Sequence, residues 1–461
     1  MKSPINIVIL AAGLGTRMKS KRAKVLHRAG GLTLVEHVVN AATGIAPPEH
    51  ITVVVGCQAE QVKAALGHSG VRFVEQKEQK GTGHALMMCR EALGTQGGLV
   101  VVANGDGPLL SRATLQELVD RQAASDRAAT LITTQLEDPT GYGRVVLGKD
   151  GEVQAIVEQK AATPQQLAIP VINSGIYCFR ADLLWKHIAE IRTDNPAREY
   201  YLTDIVEILN HAGHKVAAFE IPDSQELLGI NTRVELAAVD KIFRERKVQE
   251  LMLEGVTIEK PETVTIDCAV RIGADSIVGP FTQILGKTEI GEDCRIGACS
   301  IIHNSKLADR VQIAPFTSIT DSEVEADAQI GPFARLRPGN RVGVGAHIGN
   351  FVELKNTKLG AGAKASHLTY LGDAEIGDKT NIGAGTITCN YDGAQKHRTK
   401  IGKEVFVGSN STLVAPIEIG DESYIGAGSV ITDPVPKDAL ALGRARQVVK
   451  EGWAVKRKKK K

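Results

Sequence analysis

The first half of the chain, to about residue 230, alternates short apolar runs with stretches of helical periodicity such as LVEHVVNAAT and ATLQELVDRQ. Continuous runs of valine and isoleucine are typical of strands that are buried on both faces of a sheet. The pattern therefore predicts an α/β domain around a mainly parallel sheet, in which ligands bind at the carboxyl ends of the strands. The predicted strands are INIVIL, ITVVVG, VRFVEQ, LVVVANGD, AATLITTQ and NSGIYCF.

A helix is predicted to begin directly after this domain. Thr232 and Glu235 have the N-cap and N3 spacing of a capping box, and Gly255 follows the helical pattern. We therefore expect a first domain over residues 1–231, a linker helix over residues 232–254 and a second domain over residues 255–461.

After Gly255 an aliphatic residue recurs at every sixth position and is often followed by glycine. This period belongs neither to a helix nor to a strand with two-residue alternation; it is typical of a parallel β-helix built from short strands and tight corners. The repeat explains why the chain has 47 glycines but only 4% aromatic residues. The clearest runs are Ile272, Val278, Ile284, Ile290, Ile296 and Ile302, and later Ile401, Val407, Leu413, Ile419, Ile425 and Ile431.

Two interruptions of the repeat predict loops that leave the coil. The frame shifts between Ile302 and Ile313, and the repeat stops altogether over CNYDGAQKHRTK, residues 389–400. Long loops on a rigid scaffold are frequent places for chemistry or partner contacts. The second interruption is the longer one and is therefore a candidate site.

Charge and cysteine content exclude several classes of protein. With 55 basic and 53 acidic residues the net charge is +2, which gives no general field for a nucleic-acid backbone. The seven cysteines form no CxxC pair or zinc-like cluster, as in reduced intracellular proteins. No stretch has the length of a membrane span, and the start lacks the features of a signal peptide, so we expect a cytoplasmic protein.

The terminal run KRKKKK, Lys456–Lys461, is the one block of like charge. We predict that it is a solvated, disordered tail, with a basic anchor as the alternative.

The segment LAAGLGTRM, residues 10–18, follows the first apolar run and admits three interpretations. A dinucleotide fingerprint requires a third glycine where Met18 stands. A tight turn between strand and helix does not require Arg17, or Lys24 beyond it. A phosphate cradle of another kind uses the glycines for close backbone approach and both cations for charge. Spacing alone does not decide among them.

Four segments in order, LAAGLGTRM with AKVLH, EQKGTGHA, NGDGPL and GINTR, resemble the motifs of sugar-1-phosphate nucleotidyltransferases. The resemblance implies a Rossmann-like fold and the attack of a sugar phosphate on the α-phosphorus of a nucleoside triphosphate. It implies that Arg17 and Lys24 stabilise the developing charge, and that Asp106 and Asn231 bind Mg²⁺. Taken alone, Asp106 would be interpreted as a turn or cap residue.

The same resemblance implies the residues that hold the nucleotide sugar. Gln76, Gly81 and Thr82 would recognise the uracil, and Gly143, Glu158 and Asn173 the acetylamino sugar. This chain departs from the family at Leu14, where a basic residue is common, at Ala23, where proline usually precedes the lysine, and at Gly107, where a larger residue is usual. The full implied set is Leu10, Ala11, Ala12, Gly13, Lys24, Gln76, Gly81, Thr82, Asn104, Gly105, Asp106, Gly143, Glu158, Asn173 and Asn231.

Polar motifs inside the six-residue repeat raise the question of a second active site. One interpretation is that a β-helix of this kind serves in trimerisation or regulation and has no active site. Packing alone, however, does not require the polar segments GPFARLRPG, FVELK, KASHLTYLGD, NIGAGTITCNYDG and VGSN. HLTYLGDAEIG and NIGAGTITCNYDG closely resemble the acetyltransferase half of the bifunctional bacterial uridylyltransferase/acetyltransferase family. The resemblance implies a left-handed parallel β-helix, a homotrimer, and acetyltransferase sites formed where subunits meet.

The acetyltransferase resemblance also implies roles for individual residues. His367 would be the general base for the amine, a role to which histidine is suited near neutral pH. Arg337 and Lys355 would neutralise the sugar phosphate, and Tyr370 and Asn381 would orient it. In the extruded loop, Asn390 and Tyr391 would complete the amine site and bind acetyl-CoA. The remaining positions implied for acetyl-CoA are Ala384, Ser409, Ala427 and Arg444.

Together the two sets of motifs predict a two-step enzyme. The second domain would acetylate glucosamine-1-phosphate from acetyl-CoA, and the first would join the product to UTP with release of pyrophosphate. The product, UDP-N-acetylglucosamine, is a precursor of bacterial peptidoglycan and lipopolysaccharide. Two alternatives remain at this point: a nucleotidyltransferase whose β-helix is regulatory, as in glucose-1-phosphate adenylyltransferases, and a non-catalytic scaffold resembling exchange subunits of initiation factors.

Overall fold

The computed structural model describes residues 4–94 and 97–458 of the 461-residue chain. The chain divides into two compact units, Met1–Ile242 and Phe243–Lys461. The first unit contains a nine-stranded sheet with helices on both faces, and the second contains three long sheets of very short strands. Each unit has hydrophobic clusters of its own.

The sheet of the first unit contains all six strands predicted from the apolar runs. Most neighbours on its main path are parallel, but Val171–Arg180 is antiparallel to both of its neighbours, so the sheet is mixed. The hairpin Arg144–Leu147 and Val153–Val157 attaches to that antiparallel strand. The order across the main path is Val216–Glu220, Ala129–Gln135, Val171–Arg180, Leu99–Asn104, Ile5–Leu10, Ile51–Val55 and Arg72–Glu75.

Burial on both faces of the sheet explains why its central strands are continuously apolar. On the first strand Ile7 and Ile9 join one hydrophobic cluster and Val8 joins another, and all three have 0% exposure. The strands not predicted, Arg144–Leu147, Val153–Val157 and Val216–Glu220, are only partly buried, so their sequences lack this signal.

The helices of the first unit begin with the caps expected from their sequences. Leu34–Thr43 is preceded by a capping box of Thr33 and Glu36, and Ser111 caps Arg112–Ala123. The other α-helices are Ala59–Leu66, Thr82–Met87, Arg90–Leu93, Pro164–Leu167, Ala181–His187 and Ile205–His211. Single 3₁₀ turns lie at Thr16–Met18, Lys24–Leu26, Pro48–His50, Gln159–Ala161, Ile188–Glu190, Leu202–Asp204 and Ser224–Leu227, and a small ribbon pairs Arg28–Ala29 with Leu32–Thr33.

A helix at Arg233–Leu253 follows the first sheet. The Thr232 hydroxyl accepts a hydrogen bond from the Glu235 N–H at 3.2 Å, and the Glu235 carboxylate accepts one from the Thr232 N–H at 2.7 Å. The predicted capping box is therefore present.

The second unit is a parallel β-helix with three faces. Face 1 consists of Thr257–Ile258, Ile277–Val278, Arg295–Ile296, Gln312–Ile313, Gln329–Ile330, His347–Asn350, Lys364–His367, Asn381–Ile382, Phe406–Val407, Tyr424–Ile425 and Leu440–Ala441. Face 2 consists of Thr265–Ile266, Gln283–Leu285, Ile301–His303, Ser318–Thr320, Arg335–Leu336, Glu353–Lys355, Tyr370–Gly372, Ile387–Cys389, Thr412–Val414 and Val430–Ile431. Face 3 consists of Arg271–Ile272, Glu289–Ile290, Lys306–Leu307, Ser322–Val324, Asn340–Val342, Lys358–Leu359, Ala374–Ile376, Thr399–Ile401 and Ile417–Ile419.

Each coil contributes inward-pointing aliphatic residues to one continuous hydrophobic cluster. Outside, the faces differ. Face 3 carries a column of mostly alternating charges, from Arg271 and Glu289 up to Lys400 and Glu418. The corner that leads from face 1 to face 2 carries exposed phenylalanines in the left-handed backbone conformation. The 3₁₀ turn Pro261–Thr263 lies in the first coil.

The basic tail is only partly described. Trp453–Lys458 forms a short exposed helix, so the prediction of disorder is wrong for Lys456–Lys458, and residues 459–461 lie outside the described residues. The Arg457 guanidinium lies 5.1 Å from the centre of the Trp453 ring, because residues four positions apart lie on the same side of a helix. Across the described residues, no helix combines the length and the apolar character needed to span a membrane.

Candidate functional site

A cavity of about 680 Å³ opens at the carboxyl ends of the central strands of the first unit. It is lined by every residue of the predicted nucleotide-sugar set except Gly105, and by Arg17 as well. Gly105 lies behind the wall, where its N–H donates to the Leu10 carbonyl at 2.9 Å. Leu10 and Asn104 are register partners on parallel strands, so LAAGLGTRM and NGDGPL emerge side by side.

The glycines of the first loop create space for a ligand and for Lys24. No atom lies within 4 Å of the position that a Cβ of Gly13 would take. Gly15 has φ +61°, and a Cβ there would lie 2.6 Å from the Cβ of Lys24. Glycine is required at position 15 because both the backbone conformation and the approach of Lys24 exclude a side chain.

Two cations and two oxygen ligands converge at the mouth of this loop. The Lys24 ammonium donates to the Asp106 carboxylate and, at 3.1 Å, to Asn231 Oδ1. Arg17 Nη2 donates to the same Asn231 oxygen at 2.7 Å. The Ile230 N–H donates to the Asp106 carbonyl at 3.0 Å, which ties the GINTR and NGDGPL segments together. The fold thus brings all four predicted charge-handling residues into one cluster.

The donor set of this cluster fits a hard divalent cation. Asp106 offers a carboxylate oxygen and Asn231 an amide oxygen, and both lie against one positively charged nitrogen. Mg²⁺ prefers such oxygens and commonly uses one or two protein ligands together with phosphate and water. No cluster of three or more His, Cys, Asp or Glu side chains suited to a metal occurs among residues 4–94 and 97–458, so this pair is the candidate.

Gln76 and Gly81, which were predicted to recognise the uracil, lie together in the wall of the cavity. Gln76 is 3% exposed, and its Nε2 donates to the Gly81 carbonyl at 3.0 Å and lies 2.9 Å from His84 Nδ1. Gly81 has φ +107°, and a Cβ there would lie 2.5 Å from the Tyr200 carbonyl oxygen. The sequence analysis did not identify His84, although it lies within the quoted motif EQKGTGHA.

Gly143, Glu158 and Asn173 form the opposite side. Asn173 Oδ1 accepts hydrogen bonds from the Tyr177 hydroxyl and the Gly175 N–H, both at 3.0 Å, which leaves the amide NH₂ as donor. A Cβ at Gly143 would lie 3.6 Å from Glu158 Oε1. Burial raises the pKa of Glu158, and the charge of Asp204 adds to the effect. A donor and an acceptor therefore face a space that glycine keeps open.

Four of the six residues predicted to bind acetyl-CoA lie in one column at the corner between faces 1 and 2, whereas Asn390 and Tyr391 lie in the loop that follows the face 2 strand Ile387–Cys389. Ala384, Ser409 and Ala427 follow adjacent strands of face 1, and the Asn410 N–H donates to the Ala384 carbonyl at 2.7 Å. Arg444 Nη1 donates to the Ala427 carbonyl at 2.8 Å. The structure thus brings these four residues together.

His367 ends the face 1 strand just below this column. It is exposed, and its Nδ1 lies 2.8 Å from Asn350 Oδ1, one coil lower. With the oxygen of Asn350 as acceptor, Nδ1 carries the hydrogen and Nε2 keeps a free lone pair, as a general base requires. The sequence analysis did not identify Asn350.

Face 2 carries the cationic residues at its other edge, where its strands lead toward face 3. Arg337 Nη1 lies 3.1 Å from Glu353 Oε1, and Lys355 Nζ lies 3.2 Å from Asp373 Oδ2. The pKa of Lys396 is lowered by its hydrogen bond with Lys355 and by the charge of that group. The charges of Lys355 and Lys396 therefore act on each other, and a bound anion would relieve their repulsion.

The extruded loop returns over the same cluster. Asn390 is buried and its Nδ2 donates to Asp373 Oδ2 at 2.5 Å. Burial alone would raise the pKa of Asp373, but hydrogen bonds from Asn356, Asn390 and Lys355 outweigh burial and leave its pKa lowered. A Cβ on Gly372 would meet the Tyr370 hydroxyl and Asn390 Nδ2, so glycine lets the tyrosine approach the loop.

Internal hydrogen bonds fix the shape of this loop. The Asp392 carboxylate accepts from the N–H groups of Ala394 and Gln395 at 2.8 and 2.7 Å, and pairs with His397 at 2.6 Å. Tyr391 is 59% exposed, and its hydroxyl donates to the Gly393 carbonyl at 2.6 Å. The loop was predicted from the sequence, but Lys396 was not among the predicted site residues. Its positive charge inside the extruded segment is the signal that could have identified it.

Asn381 lies apart from the other predicted amino-sugar residues. It is on face 1, where its register partners are Lys364 and Phe406, whereas Arg337, Lys355 and Tyr370 belong to face 2. One copy of the second unit therefore does not bring the complete predicted set together.

Comparisons with known proteins match both units. Residues 7–208 match the MobA-like NTP transferase domain, residues 269–304 the bacterial transferase hexapeptide with six repeats, and residues 398–433 the hexapeptide repeat of succinyl-transferase. These matches agree with a nucleotidyltransferase fold followed by a left-handed parallel β-helix.

Full-length relatives carry both units in the same order. The Bifunctional protein GlmU of Solibacter usitatus is 59% identical over 459 residues, which cover 100% of this chain and 98% of the relative. The protein of the same name from Koribacter versatilis is 52% identical, with 98% and 97% coverage. The one from Streptococcus agalactiae is 44% identical, also with 98% and 97% coverage.

Proposed function

Since the chain belongs to the bifunctional GlmU family, we propose how its residues carry out the two reactions of that family. The β-helix acetylates glucosamine-1-phosphate from acetyl-CoA, and the α/β unit then couples the product with UTP to give UDP-N-acetylglucosamine and pyrophosphate. In our proposal the nucleotidyltransferase domain comprises residues 1–231, the linker helix residues 232–254 and the acetyltransferase domain residues 255–461.

For uridylyl transfer, the observation that carries the proposal is the convergence of Lys24, Arg17 and Asp106 around Asn231. Negative charge builds up on the α-phosphate and on the leaving pyrophosphate, so fixed cations stabilise the transition state more than the ground state. Lys24 and Arg17 supply this charge. Asp106 and Asn231 would hold Mg²⁺, which supplies further charge neutralisation at the phosphates when bound.

The two sides of the cavity would select the ligand. Both Nε2 hydrogens of Gln76 are used within the protein, so Oε1 is the acceptor offered to the N–H of a uracil edge. Cytosine has no N–H at the equivalent ring position and would leave this buried acceptor unpaired. Asn173 as donor and Glu158 as acceptor would bind the acetamido and hydroxyl groups of the sugar.

For acetyl transfer, His367 Nε2 would take the proton from the amine as the amine nitrogen attacks the thioester carbonyl. The C–S bond would then break, and the proton would pass to the departing sulfur, so that CoA leaves as the thiol. Arg337, Lys355 and Lys396 would hold the sugar phosphate, with Tyr370, Asn390 and Tyr391 beside it. Above His367 the corner residues change from phenylalanine and leucine to Gly385, Asn410 and Gly428. The smaller residues leave room for acetyl-CoA along the column Ala384, Ser409 and Ala427, and Arg444 would bind its phosphates.

We also propose that the enzyme is a homotrimer through the β-helix. Phe316, Phe333 and Phe351 stack with ring centres 5.1 and 5.3 Å apart, yet they are 54%, 47% and 54% exposed. A continuous aromatic stripe of this kind is typical of a surface that another chain covers. A second copy would also supply Asn381 to the amino-sugar site of its neighbour.

The trimer proposal predicts that Phe333→Asp weakens assembly, because it would place a charge in the centre of the stripe. Light scattering should give three times the monomer mass for the unaltered protein and a smaller mass for the variant at low concentration. Lys306→Asp on the charged face 3 is the matched control and should remain trimeric. A trimer that survives Phe333→Asp at all concentrations would show that the stripe is not the interface.

The cellular location follows from the same proposal. The seven cysteines of the sequence form no CxxC pair or zinc-like cluster, as in proteins of a reducing compartment, and we propose that the enzyme acts in the cytoplasm.

A coupled assay tests the whole proposed function. Purified protein given glucosamine-1-phosphate, acetyl-CoA, UTP and Mg²⁺ should release UDP-N-acetylglucosamine, and omission of any one substrate should stop its formation. EDTA should abolish uridylyl transfer but leave acetyl transfer unchanged, because the proposed metal ligands Asp106 and Asn231 belong to the first site and the proposed acetyl transfer uses no metal. Synthesis of the nucleotide sugar in excess EDTA would contradict the proposed role of Asp106 and Asn231.

A further inference from the structure

Gln58 is held in the left-handed backbone conformation, with φ 59° and ψ 36°, directly before the helix Ala59–Leu66. This conformation is unfavourable for a residue with a Cβ, and glutamine lacks the tolerance that asparagine and aspartate have for it. The Gln58 side chain does not cap the helix that it precedes. Backbone strain of this kind is often retained at functional sites. The contacts of the Gln58 side chain therefore indicate what the strain serves.

The Gln58 side chain binds the backbone of the loop that precedes Lys24. Its Oε1 accepts a hydrogen bond from the Ala23 N–H at 2.7 Å, and its Nε2 donates to the Lys21 carbonyl. Both ends of one amide therefore hold two peptide groups in neighbouring positions. A side chain shorter by one methylene would not reach both.

The loop held by Gln58 leads directly into the cationic cluster. Lys24 is the first residue of a 3₁₀ turn, Lys24–Leu26, and its ammonium contacts Asp106 and Asn231. Because Lys24 follows Ala23 immediately, any movement of the Ala23 peptide changes the direction of the lysine side chain. Gly15 packs against the other side of Lys24 and cannot fix the peptide before it.

The residue at position 23 explains why the loop needs an additional partner. Ala23 has φ −55°, close to the value that a proline ring imposes, and it is 7% exposed. Alanine lacks the ring that would fix this angle, and it brings a buried N–H that requires an acceptor. Gln58 supplies the acceptor and restrains the backbone at once.

We infer that Gln58 is a positioning residue for uridylyl transfer, which holds the Lys21–Ala23 loop so that the Lys24 ammonium stays at the phosphate site. Gln58 acts through the backbone and does not line the cavity. The inference rests on the proposed role of Lys24 in the reaction.

Gln58→Gly is the sharpest test, because glycine keeps the left-handed conformation and removes the side chain that carries the amide. We expect kcat for uridylyl transfer to fall about tenfold or more, since misplacement of a catalytic group by about 1 Å has effects of this size. The KM values for UTP and N-acetylglucosamine-1-phosphate should change little, and the midpoint of thermal unfolding should not fall. Acetyl transfer by the same preparation should be unchanged, as should both activities of the control Gln61→Ala.

Two further variants separate the reach of the amide from the shape of the backbone. Gln58→Asn favours the left-handed conformation but is too short, so it should lose activity as Gln58→Gly does. Adding Ala23→Pro to Gln58→Gly removes the unpaired N–H and fixes φ, so it should restore much of kcat. Ala23→Pro alone should reduce kcat, because the proline ring would meet the Gln58 amide.

The outcomes distinguish this inference from the proposed function. Full kcat in Gln58→Gly, with turnover lost in Lys24→Ala, would overturn the inference and leave the function intact. The inference would also be overturned if the loss of kcat in Gln58→Gly were explained by a lower midpoint of thermal unfolding, or if Ala23→Pro did not restore kcat. Turnover retained in Lys24→Ala would contradict the proposed function itself.

Discussion

Lys24→Ala should reduce uridylyl transfer by about 10³-fold or more while acetyl transfer by the same molecules continues unchanged. The Lys24 side chain is only 15% exposed, and its ammonium lies against both Asp106 and Asn231, so solvent cannot supply an equivalent fixed charge after the substitution. Removal of one well-placed transition-state donor typically costs about 10²- to 10³-fold, and removal of a cation at a transferring phosphoryl group costs more. Steady-state rates with N-acetylglucosamine-1-phosphate and UTP measure the effect.

A companion variant separates the lysine from the metal site. Asp106→Asn should also lose uridylyl transfer, but its activity should recover partly as Mg²⁺ concentration rises, because a weaker oxygen ligand remains. Lys24→Ala should not recover in this way, since it leaves both oxygen ligands in place. Lys63→Ala, on the surface helix Ala59–Leu66, is the matched control and should retain full activity. Equal recovery of both variants with Mg²⁺ would argue against separate roles.

Sequence patterns predicted the parts of the fold that depend on burial. Continuous apolar runs marked five central strands because those strands are covered on both faces, whereas the sixth predicted strand, Arg72–Glu75, lies at the edge of the sheet and is only partly buried. The antiparallel direction of Val171–Arg180 could not be predicted in the same way, since a run that is buried on both faces has no directional signal. The half-exposed strand Val216–Glu220 was missed for the complementary reason that its burial pattern is irregular.

In the β-helix, the six-residue period identified the inward residues but not their place around the coil. Period alone does not assign Asn381 to face 1 and Tyr370 to face 2, because the coils differ in length, as the register pairs Ile296–Ile313 and Ile330–Ile348 show. Local motifs likewise gave His367 but not Asn350, one coil below, since the two are neighbours only across the β-helix. Contacts between coils are therefore what the structure adds.

The same distinction applies to the first site. Motif resemblance located Lys24, Asp106 and Asn231, whose convergence then follows from parallel strands that end at the same edge. Gln58 belongs to no motif and contacts Ala23 only because two loops lie side by side at that edge. Residues that act on the backbone of a neighbouring loop leave little trace in a single sequence.

His367→Ala should reduce acetyl transfer by about 10²- to 10⁴-fold, the range expected for loss of a general base. Uridylyl transfer should be unchanged, so the same preparation provides its own control for folding. His347→Ala, which removes another histidine from the same face of the β-helix, should retain acetyl transfer. An unchanged rate in His367→Ala would show that another group takes the proton.

The contact between Asn350 and His367 predicts how the pH profile of acetyl transfer changes when Asn350 is replaced. In Asn350→Asp a carboxylate would lie at the place of the amide oxygen, 2.8 Å from Nδ1, and would stabilise the protonated imidazole. Because only neutral imidazole accepts the amine proton, the acidic limb of the kcat profile for acetyl transfer should move upward by about one pH unit. Asn350→Ala should lower kcat without this displacement, since it removes the orienting acceptor but adds no charge. If both variants only lower kcat equally at every pH, Asn350 contributes packing and does not set the protonation of His367.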